Sequence, residues 1–232
     1  MNPTLNWRTT WPWLTALSAA VCIAAGIGAI DAGWQFIFKP LTTLMIIAHA
    51  WPRGAGESRQ RGLIRLGLVL SLAGDVFLLW PRQGFLPGLI AFLLAHLAYI
   101  GAFCVPVRFA AKPIVFAGYA LLAVLILSQL WPGVPTALRL PVVAYVVCLA
   151  TMAAQAAAWW RSRAGTSATD ARLARTAALG GLLFMASDSL LAINKFAAPL
   201  PLSSLWILLT YWLAQWCIAG SLGSAVRQQV KP

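Results

Sequence analysis

Long apolar runs separated by short polar connections make up almost the whole 232-residue chain. A stretch of roughly 20 apolar residues spans the ~30 Å hydrocarbon core of a bilayer as an α-helix. Eight such stretches occur, at 12–30, 34–51, 63–80, 86–106, 113–131, 138–160, 176–196 and 203–223. The pattern therefore predicts an all-α integral membrane protein, a bundle of about eight transmembrane helices that forms a single polytopic domain over residues 1–232.

Composition supports this class and excludes others. The chain is 61% hydrophobic and 9% charged, which is too little polar surface for a water-soluble domain of this length. Its four cysteines have neither CxxC nor Cys/His spacing. We therefore expect them to be apolar side chains within helices, and the sequence indicates neither a disulfide framework nor a zinc site.

Positive charge is distributed unevenly along the chain. With eight spans, the termini and the even-numbered connections share one side and carry most of the 17 Lys and Arg residues. The other side carries only Lys39, Arg82, Arg139 and Lys195. Because Lys and Arg accumulate on the cytoplasmic face, both termini are predicted to be cytoplasmic, in a multi-pass protein of a bacterial-type inner membrane. Topology and contact with lipid headgroups then explain the net charge of +12, and no nucleic-acid partner is expected.

Two of the five acidic residues fall inside predicted membrane helices. Asp75 and Asp188 lie in the runs 67–80 and 180–192, each eight residues after the glycine that opens its run. A charged side chain at the bilayer centre costs about 2.5–3.5 kcal/mol even on the lenient insertion scale, so both are expected to be functional. Their spacing, four helices apart, hints at a four-plus-four internal repeat. Asp31, Glu57 and Asp170 are predicted to be solvated charges in loops.

Further polar side chains lie at comparable predicted depth. They are Lys39 in the second helix, Ser71 one turn before Asp75, His96 and Tyr99 in the fourth helix, and Tyr211 and Gln215 in the eighth. We expect a shared cavity in the middle or outer half of the membrane, because lipid-facing positions would leave these groups unsatisfied. For each single Ser, Tyr, Gln or His, the alternative is an interhelical hydrogen bond.

Five motifs follow one another from the second predicted helix to the eighth. They are Lys39-Pro40-Leu41-Thr42-Thr43, Ser71-Leu72-Ala73-Gly74-Asp75, His96 with Tyr99, GLLFMASD at 181–188, and Tyr211 with Gln215. Together they resemble the YhhN-type membrane family, which includes the lysoplasmalogenases. The resemblance implies an eight-helix enzyme that hydrolyses the vinyl ether bond of lysoplasmalogens to a fatty aldehyde and glycerophosphoethanolamine or glycerophosphocholine. Predicted helices one, five and six contribute no motif.

The implied reaction needs a proton donor and a proton acceptor, and Asp75 and Asp188 are the predicted catalytic residues. Protonation of the alkene carbon gives an oxocarbenium ion, water adds to it, and the hemiacetal collapses. Burial and mutual repulsion of two nearby carboxyl groups keep one protonated and the other ionised. We expect Asp188 to be the acid, because it lies deeper in its helix and is less easily solvated, and Asp75 to be the base that activates water.

The other predicted site residues are assigned to substrate binding. The expected partners are a lysophospholipid substrate, whose headgroup would contact Lys39 near the outer surface, and the surrounding membrane lipids. The assigned residues are Lys39, Ser71, His96, Tyr99, Ser187, Asn194, Tyr211 and Gln215. No cofactor or metal is assigned.

Two other interpretations of these residues stay open. Intramembrane Asp and His side chains also form relays in transporters for protons or small solutes. A metal held by Asp75, His96 and Asp188 would activate water in a metal-dependent lipid hydrolase, since three protein ligands suffice for a catalytic zinc. The concentration of polar groups toward one side of the membrane favours a lipid enzyme over a transporter.

Overall fold

The computed structural model describes residues 7–54, 58–163 and 165–223, which form eight α-helices and a 3₁₀ turn at Trp131–Gly133. The helices are α1 Trp7–Gly26, α2 Trp34–Ala50, α3 Ser58–Phe77, α4 Phe85–Cys104, α5 Pro113–Leu130, α6 Thr136–Arg161, α7 Ala168–Phe196 and α8 Ser203–Gly220. For the described residues, the prediction of an all-α chain with eight helices is confirmed.

α3 and α7 are among the helices that begin earlier than the apolar runs indicate, because their first turns are charged. α3 begins at Ser58 and α7 at Ala168. The Ser167 hydroxyl caps α7 by accepting a hydrogen bond from the backbone N–H of Asp170 at 3.1 Å. The loop assignment of Asp170 is therefore wrong, since its carboxylate lies in the first turn, where the helix dipole favours a negative charge. Asp31 lies in a loop as predicted, whereas Glu57 lies outside the described residues.

Length and composition of the helices support an integral membrane protein. Within the described ranges, four segments are long and apolar enough to cross a membrane: Phe85–Cys104, Pro113–Gly133, Thr136–Arg161 and Ala168–Phe196. Large apolar side chains also cover the outside, with Trp13, Ile114 and Leu140 77%, 81% and 79% exposed. Such a surface suits contact with lipid tails. Eight spans in a single domain and cytoplasmic termini stay predictions, and residues 1–6 and 224–232 lie outside the described part of the chain.

The two halves of the chain pack in the same order. α1 packs on α2, α2 on α3 and α3 on α4, and α5 to α8 repeat this sequence of neighbours. The halves meet where α4 packs on α6 and where α8 packs on α1 and α2. This arrangement supports the four-plus-four repeat and puts Asp75 on α3 and Asp188 on α7 in equivalent helices.

Glycines let α3 lie close to α4 around Asp75. A Cβ atom on Gly74 would lie 2.5 Å from the Phe92 ring, and one on Gly67 would overlap the ring of Tyr99. Close approach through small residues is how membrane helices gain packing contacts without a hydrophobic driving force. Gly74 thus helps to enclose the carboxylate that follows it in the chain.

We expect Gly74→Ala to lower the free energy of unfolding by about 1–3 kcal/mol, because the added methyl group overpacks the α3–α4 contact. Gly62→Ala on the same helix is the matched control, since a Cβ there meets nothing within 4 Å. The measurement is the thermal unfolding midpoint of purified protein in detergent. Equal midpoints for the two variants would contradict the close contact.

Candidate active site

A polar cavity of about 250 Å³ lies where α3 and α7 end and α4 and α8 begin, at the end of the bundle predicted to face outward. Its apolar walls include Leu78, Phe92 and Leu208. Its polar lining consists of Lys39, Asp75, Ser187, Asp188, Asn194, Lys195 and Tyr211. Apart from Lys195, each of these polar residues is one that the sequence predicts for the site.

Asp75 is enclosed by polar partners from two neighbouring helices. Its Oδ2 accepts hydrogen bonds from Thr43 Oγ1 at 2.6 Å and from the Tyr211 hydroxyl at 2.7 Å. The ammonium of Lys39 lies 3.9 Å from Oδ1. Lys39 and Thr43 are four residues apart on the buried face of α2, so one helical turn supplies both a cation and a hydroxyl. Burial disfavours an ionised carboxylate, whereas these three partners stabilise it.

A hydrogen-bond chain behind the cavity wall orients Tyr211. Gln215 Nε2 donates to the Tyr211 hydroxyl at 3.2 Å, and the Tyr99 hydroxyl donates to Gln215 Oε1 at 2.8 Å. Ser71 is fully buried near Tyr99, but its hydroxyl lacks the geometry of a regular hydrogen bond. Tyr99, Gln215 and Ser71 do not line the cavity. Their predicted contact with substrate is therefore not supported by their position, which suits a role in holding Tyr211 and α3 in place.

Asp188 has a second tyrosine and a histidine as partners. The Tyr145 hydroxyl donates a short hydrogen bond to Asp188 Oδ2. His96 Nε2 lies 3.1 Å from the Tyr145 hydroxyl and 3.7 Å from Asp188 Oδ2. The Tyr145 hydroxyl uses its proton in the hydrogen bond to Asp188, so it accepts the hydrogen bond from His96. His96 Nε2 is therefore the donor and carries a proton. His96 is fully buried behind the cavity wall, and its Nδ1 has no hydrogen-bond partner among the described residues.

The two carboxylates thus have equivalent surroundings in the two halves. Each accepts a hydrogen bond from a tyrosine and faces one basic side chain. The basic residue is Lys39 for Asp75 and His96 for Asp188. The partner helices correspond in the repeat, α2 and α8 to α6 and α4, but the residue types are exchanged, because the tyrosine lies on α8 for Asp75 and on α6 for Asp188.

Asp188 is more accessible than Asp75, which contradicts the reason for which the sequence analysis assigns Asp188 as the acid. Its side chain is 12% exposed, against 2% for Asp75. The prediction that Asp188 is less easily solvated is therefore wrong. Depth along a helix does not determine enclosure, because the close α3–α4 contact covers Asp75 whereas Asp188 faces open space.

An apolar cavity between α4, α5, α6 and α7 adjoins the polar one. Its lining includes Ala123, Leu130, Val142 and Leu149, and Asp188 is the one charged residue in that lining. The residues that line both cavities are Leu78, Phe85, Phe92, Asp188 and Leu191. Asp188 is thus the polar group at the boundary between a polar compartment and an apolar one.

Two predicted binding residues use their side chains to hold the backbone. Ser187 Oγ donates to the carbonyl of Ile207 at 3.0 Å and ties α7 to α8. Asn194 Oδ1 accepts from the N–H of Leu200 at 2.9 Å and closes the connection between these helices. Both residues still line the polar cavity and remain available to a ligand there.

Sequence reasoning missed Tyr145, Trp212 and Lys195 and did not assign a role to Thr43. Trp212 Nε1 donates to Thr43 Oγ1 at 3.1 Å and so aims the threonine at Asp75. Tyr145 is a polar side chain inside a predicted membrane helix, and the argument applied to Tyr211 applies to it equally. The described residues contain no group of three His, Cys, Asp or Glu side chains placed to hold a metal, so the interpretation with a metal gains no support.

Comparison with known proteins identifies a family. The model of the YhhN family matches residues 34–222. Lysoplasmalogenase TMEM86A from Homo sapiens is 36% identical over 160 residues, which cover 67% of this chain and 63% of the relative. Lysoplasmalogenase TMEM86B from Sus scrofa is 34% identical over 199 residues, which cover 83% and 75%. Human Lysoplasmalogenase TMEM86B is 32% identical over 207 residues, which cover 88% and 83%.

No solved structure matches the chain. The alignment with human TMEM86A spans less than two thirds of that relative, whereas the TMEM86B alignments span most of both chains. The family match covers most of the described helices, from the first residue of α2 to just beyond the end of α8. The chain therefore belongs to the YhhN family.

Proposed function

We propose that this protein is a membrane hydrolase that cleaves the vinyl ether bond of lysoplasmalogens, releasing a fatty aldehyde and glycerophosphoethanolamine or glycerophosphocholine. The observation that carries the proposal is that Asp75 and Asp188 face one cavity from separate helices, with an apolar cavity beside it. The substrate named for the TMEM86 relatives supports it. The protein would span the bilayer eight times in a bacterial-type inner membrane, with both termini cytoplasmic and the polar cavity toward the outer side.

Asp188 would act as the general acid. Its protonated carboxyl gives a proton to the alkene carbon that is not bonded to oxygen, and the π electrons form the new C–H bond. Positive charge is then shared by the neighbouring carbon and the ether oxygen. The position of Asp188 supports this role, because the bond to be protonated lies where the hydrocarbon part of the lipid meets its polar part. This reason replaces the one based on burial.

Asp75 would act as the general base. Lys39, Thr43 and Tyr211 stabilise its carboxylate, which accepts a proton from water as the water oxygen attacks the oxocarbenium carbon. When the hemiacetal collapses, Asp75 returns that proton to the departing ether oxygen, and Asp188 recovers a proton from the hemiacetal hydroxyl. Both carboxyl groups are restored, and the sum is addition of one water molecule. Glycoside hydrolases use the same division between acid and base.

The remaining polar residues would position these two groups and the headgroup. Tyr145 and His96 hold the Asp188 carboxyl, and Tyr99 and Gln215 act through Tyr211. Lys39 and Lys195 line the polar cavity and supply positive charge for a lipid phosphate there. Lys39 would thus stabilise the carboxylate of Asp75 and also contact the phosphate of the headgroup.

The first test is product analysis with purified protein. Lysoplasmalogen should yield fatty aldehyde, and an ester lysophospholipid should yield neither aldehyde nor fatty acid. A saturated 1-alkyl lysolipid is the matched control, because it has the ether oxygen but no alkene to protonate. Absence of aldehyde from every substrate would overturn the proposed function and favour a transporter.

The second test assigns the acid and the base. Asp75→Asn and Asp188→Asn are each expected to lower kcat by about 10²–10⁴-fold, the usual contribution of general acid–base catalysis. Activity needs a protonated acid and an ionised base. The residual activity of Asp188→Asn should therefore lose its alkaline limb in a pH–rate profile, and that of Asp75→Asn its acidic limb. Asp31→Asn, in an exposed loop, should match the wild type. Loss of the same limb in both variants would contradict the assignment.

The third test concerns the link between His96 and Asp188. Tyr145→Phe keeps the ring and removes the hydroxyl that stabilises the Asp188 carboxylate formed as its proton leaves, so kcat should fall by about tenfold, the effect of one hydrogen bond to the developing charge. KM should change little, and the alkaline limb of the pH–rate profile should move. Tyr119→Phe on α5 is the control for loss of a tyrosine hydroxyl, and it should leave both parameters unchanged. An unaltered pH–rate profile in Tyr145→Phe would contradict a role of Tyr145 in positioning Asp188 and leave it only a role in packing.

A further inference from the structure

We propose that the apolar cavity between α4, α5, α6 and α7 holds the hydrocarbon chain of the substrate, and that Ala123 and Leu149 at its inner end set the chain length accepted. The identity of the ligand rests on the proposed function. The existence of a chain-binding site rests on the shape and lining of the cavity alone.

The cavity is elongated along the helices. At the predicted outer end it is lined by Leu130 near the end of α5, Val142 near the start of α6, and Phe196 at the end of α7. At the other end it is lined by Ala123 and Leu149. Each of these two residues lies seven positions from its partner on the same helix, Leu130 or Val142. Seven residues of α-helix span about 10 Å, so the apolar lining extends for about that length along α5 and α6.

The lining of this cavity matches a hydrocarbon and excludes a polar headgroup. Its polar residues are Tyr145, Asp188 and Ser189. The Tyr145 hydroxyl is bonded to Asp188, and Ser189 Oγ donates to the carbonyl of Met185 at 2.7 Å. Asp188 therefore presents the free polar atoms, and they lie at the border with the polar cavity. A single-chain lipid placed with its headgroup in the polar cavity brings the first carbons of its chain to Asp188.

The cavity would discriminate between hydrocarbon chains of different length by steric fit more than by the free energy of transfer into it. The chain arrives from a bilayer or micelle whose interior is as apolar as the cavity, so its transfer releases little free energy. A chain too long for the space must fold or displace packed side chains, and overpacking is costly. Side chains at the inner end therefore govern the ratio of rates for long and short chains.

A lipid-facing groove on the other side of α5 supplies a matched control. Ala123 borders both the cavity and the groove, whereas Ala120, one turn earlier on α5, borders the groove alone. Ala123→Phe fills the inner end of the cavity. Ala120→Phe adds the same ring to the same helix outside it.

The experiment measures competition between a decenyl and an octadecenyl lysoplasmalogen in one reaction, with both aldehydes quantified by mass spectrometry. Their ratio is independent of the amount of folded protein. Ala123→Phe should lower the octadecenyl-to-decenyl ratio by about tenfold or more, the size of steric discrimination in apolar pockets. Leu149→Ala should raise the ratio, and Ala120→Phe should leave it unchanged. An unchanged ratio in Ala123→Phe, or an equal change in Ala120→Phe, would overturn the proposal.

A binding measurement separates this proposal from the proposed function. Saturated decyl and octadecyl ether lysolipids have no bond to be cleaved, and their binding to the purified protein can be followed by native mass spectrometry. If the wild type releases no aldehyde but Ala123→Phe selectively loses octadecyl binding, the chain site stands and the reaction is wrong. If Ala123→Phe binds both lipids as the wild type does, the chain site is wrong whatever the activity.

Discussion

Two carboxyl groups inside an apolar helix bundle must be compensated within the bundle, and most of its polar side chains serve that need. An unpaired charge at the bilayer centre costs about 2.5–3.5 kcal/mol or more. Asp75 draws partners from α2 and α8, and Asp188 draws partners from α6 and α4. The helix pairs that must approach closely are therefore set by where these carboxyl groups lie. Gly67 and Gly74 permit a different close contact, that of α3 with α4, which helps to cover Asp75.

The repeated architecture gives the two carboxyl groups partners from corresponding helices, but their basic neighbours and their exposure differ. Asp75 faces the ammonium of Lys39 and is nearly enclosed, whereas Asp188 faces His96 and borders two cavities. An ammonium group stabilises an ionised carboxylate beside it, whereas an imidazole does so only when it is protonated. Acid–base catalysis by two aspartates requires that one carboxyl group be protonated while the other is ionised.

Sequence patterns predicted the eight described helices and both carboxylates, because apolar length and an isolated intramembrane charge are local signals. They missed the start of α7 at Ala168, since a capped turn with Asp170 and Arg172 lies outside any apolar run. They showed Tyr145 only as a polar side chain inside a predicted membrane helix, because its link to His96 and Asp188 arises where α6 packs on α4 and α7. Sequence patterns also did not predict that Asp188 is more exposed than Asp75, because the enclosure of a side chain depends on the neighbouring helices and not on depth along its own helix.

The meeting of the two cavities at Asp188 bears on which bond would react. A single-chain lipid has one boundary between polar and apolar parts, and a site with the same boundary aligns the lipid along its length. In a lysoplasmalogen the vinyl ether lies at that boundary. Under the proposed function, an acid placed there would need no specific contact with the alkene, because the partition of headgroup and chain between the cavities would bring the bond within reach. Positioning of this kind lowers the barrier by limiting the geometries that the bound substrate samples. Polar residues behind the wall, such as Tyr99 and Gln215, then matter because they keep the boundary fixed relative to Asp75.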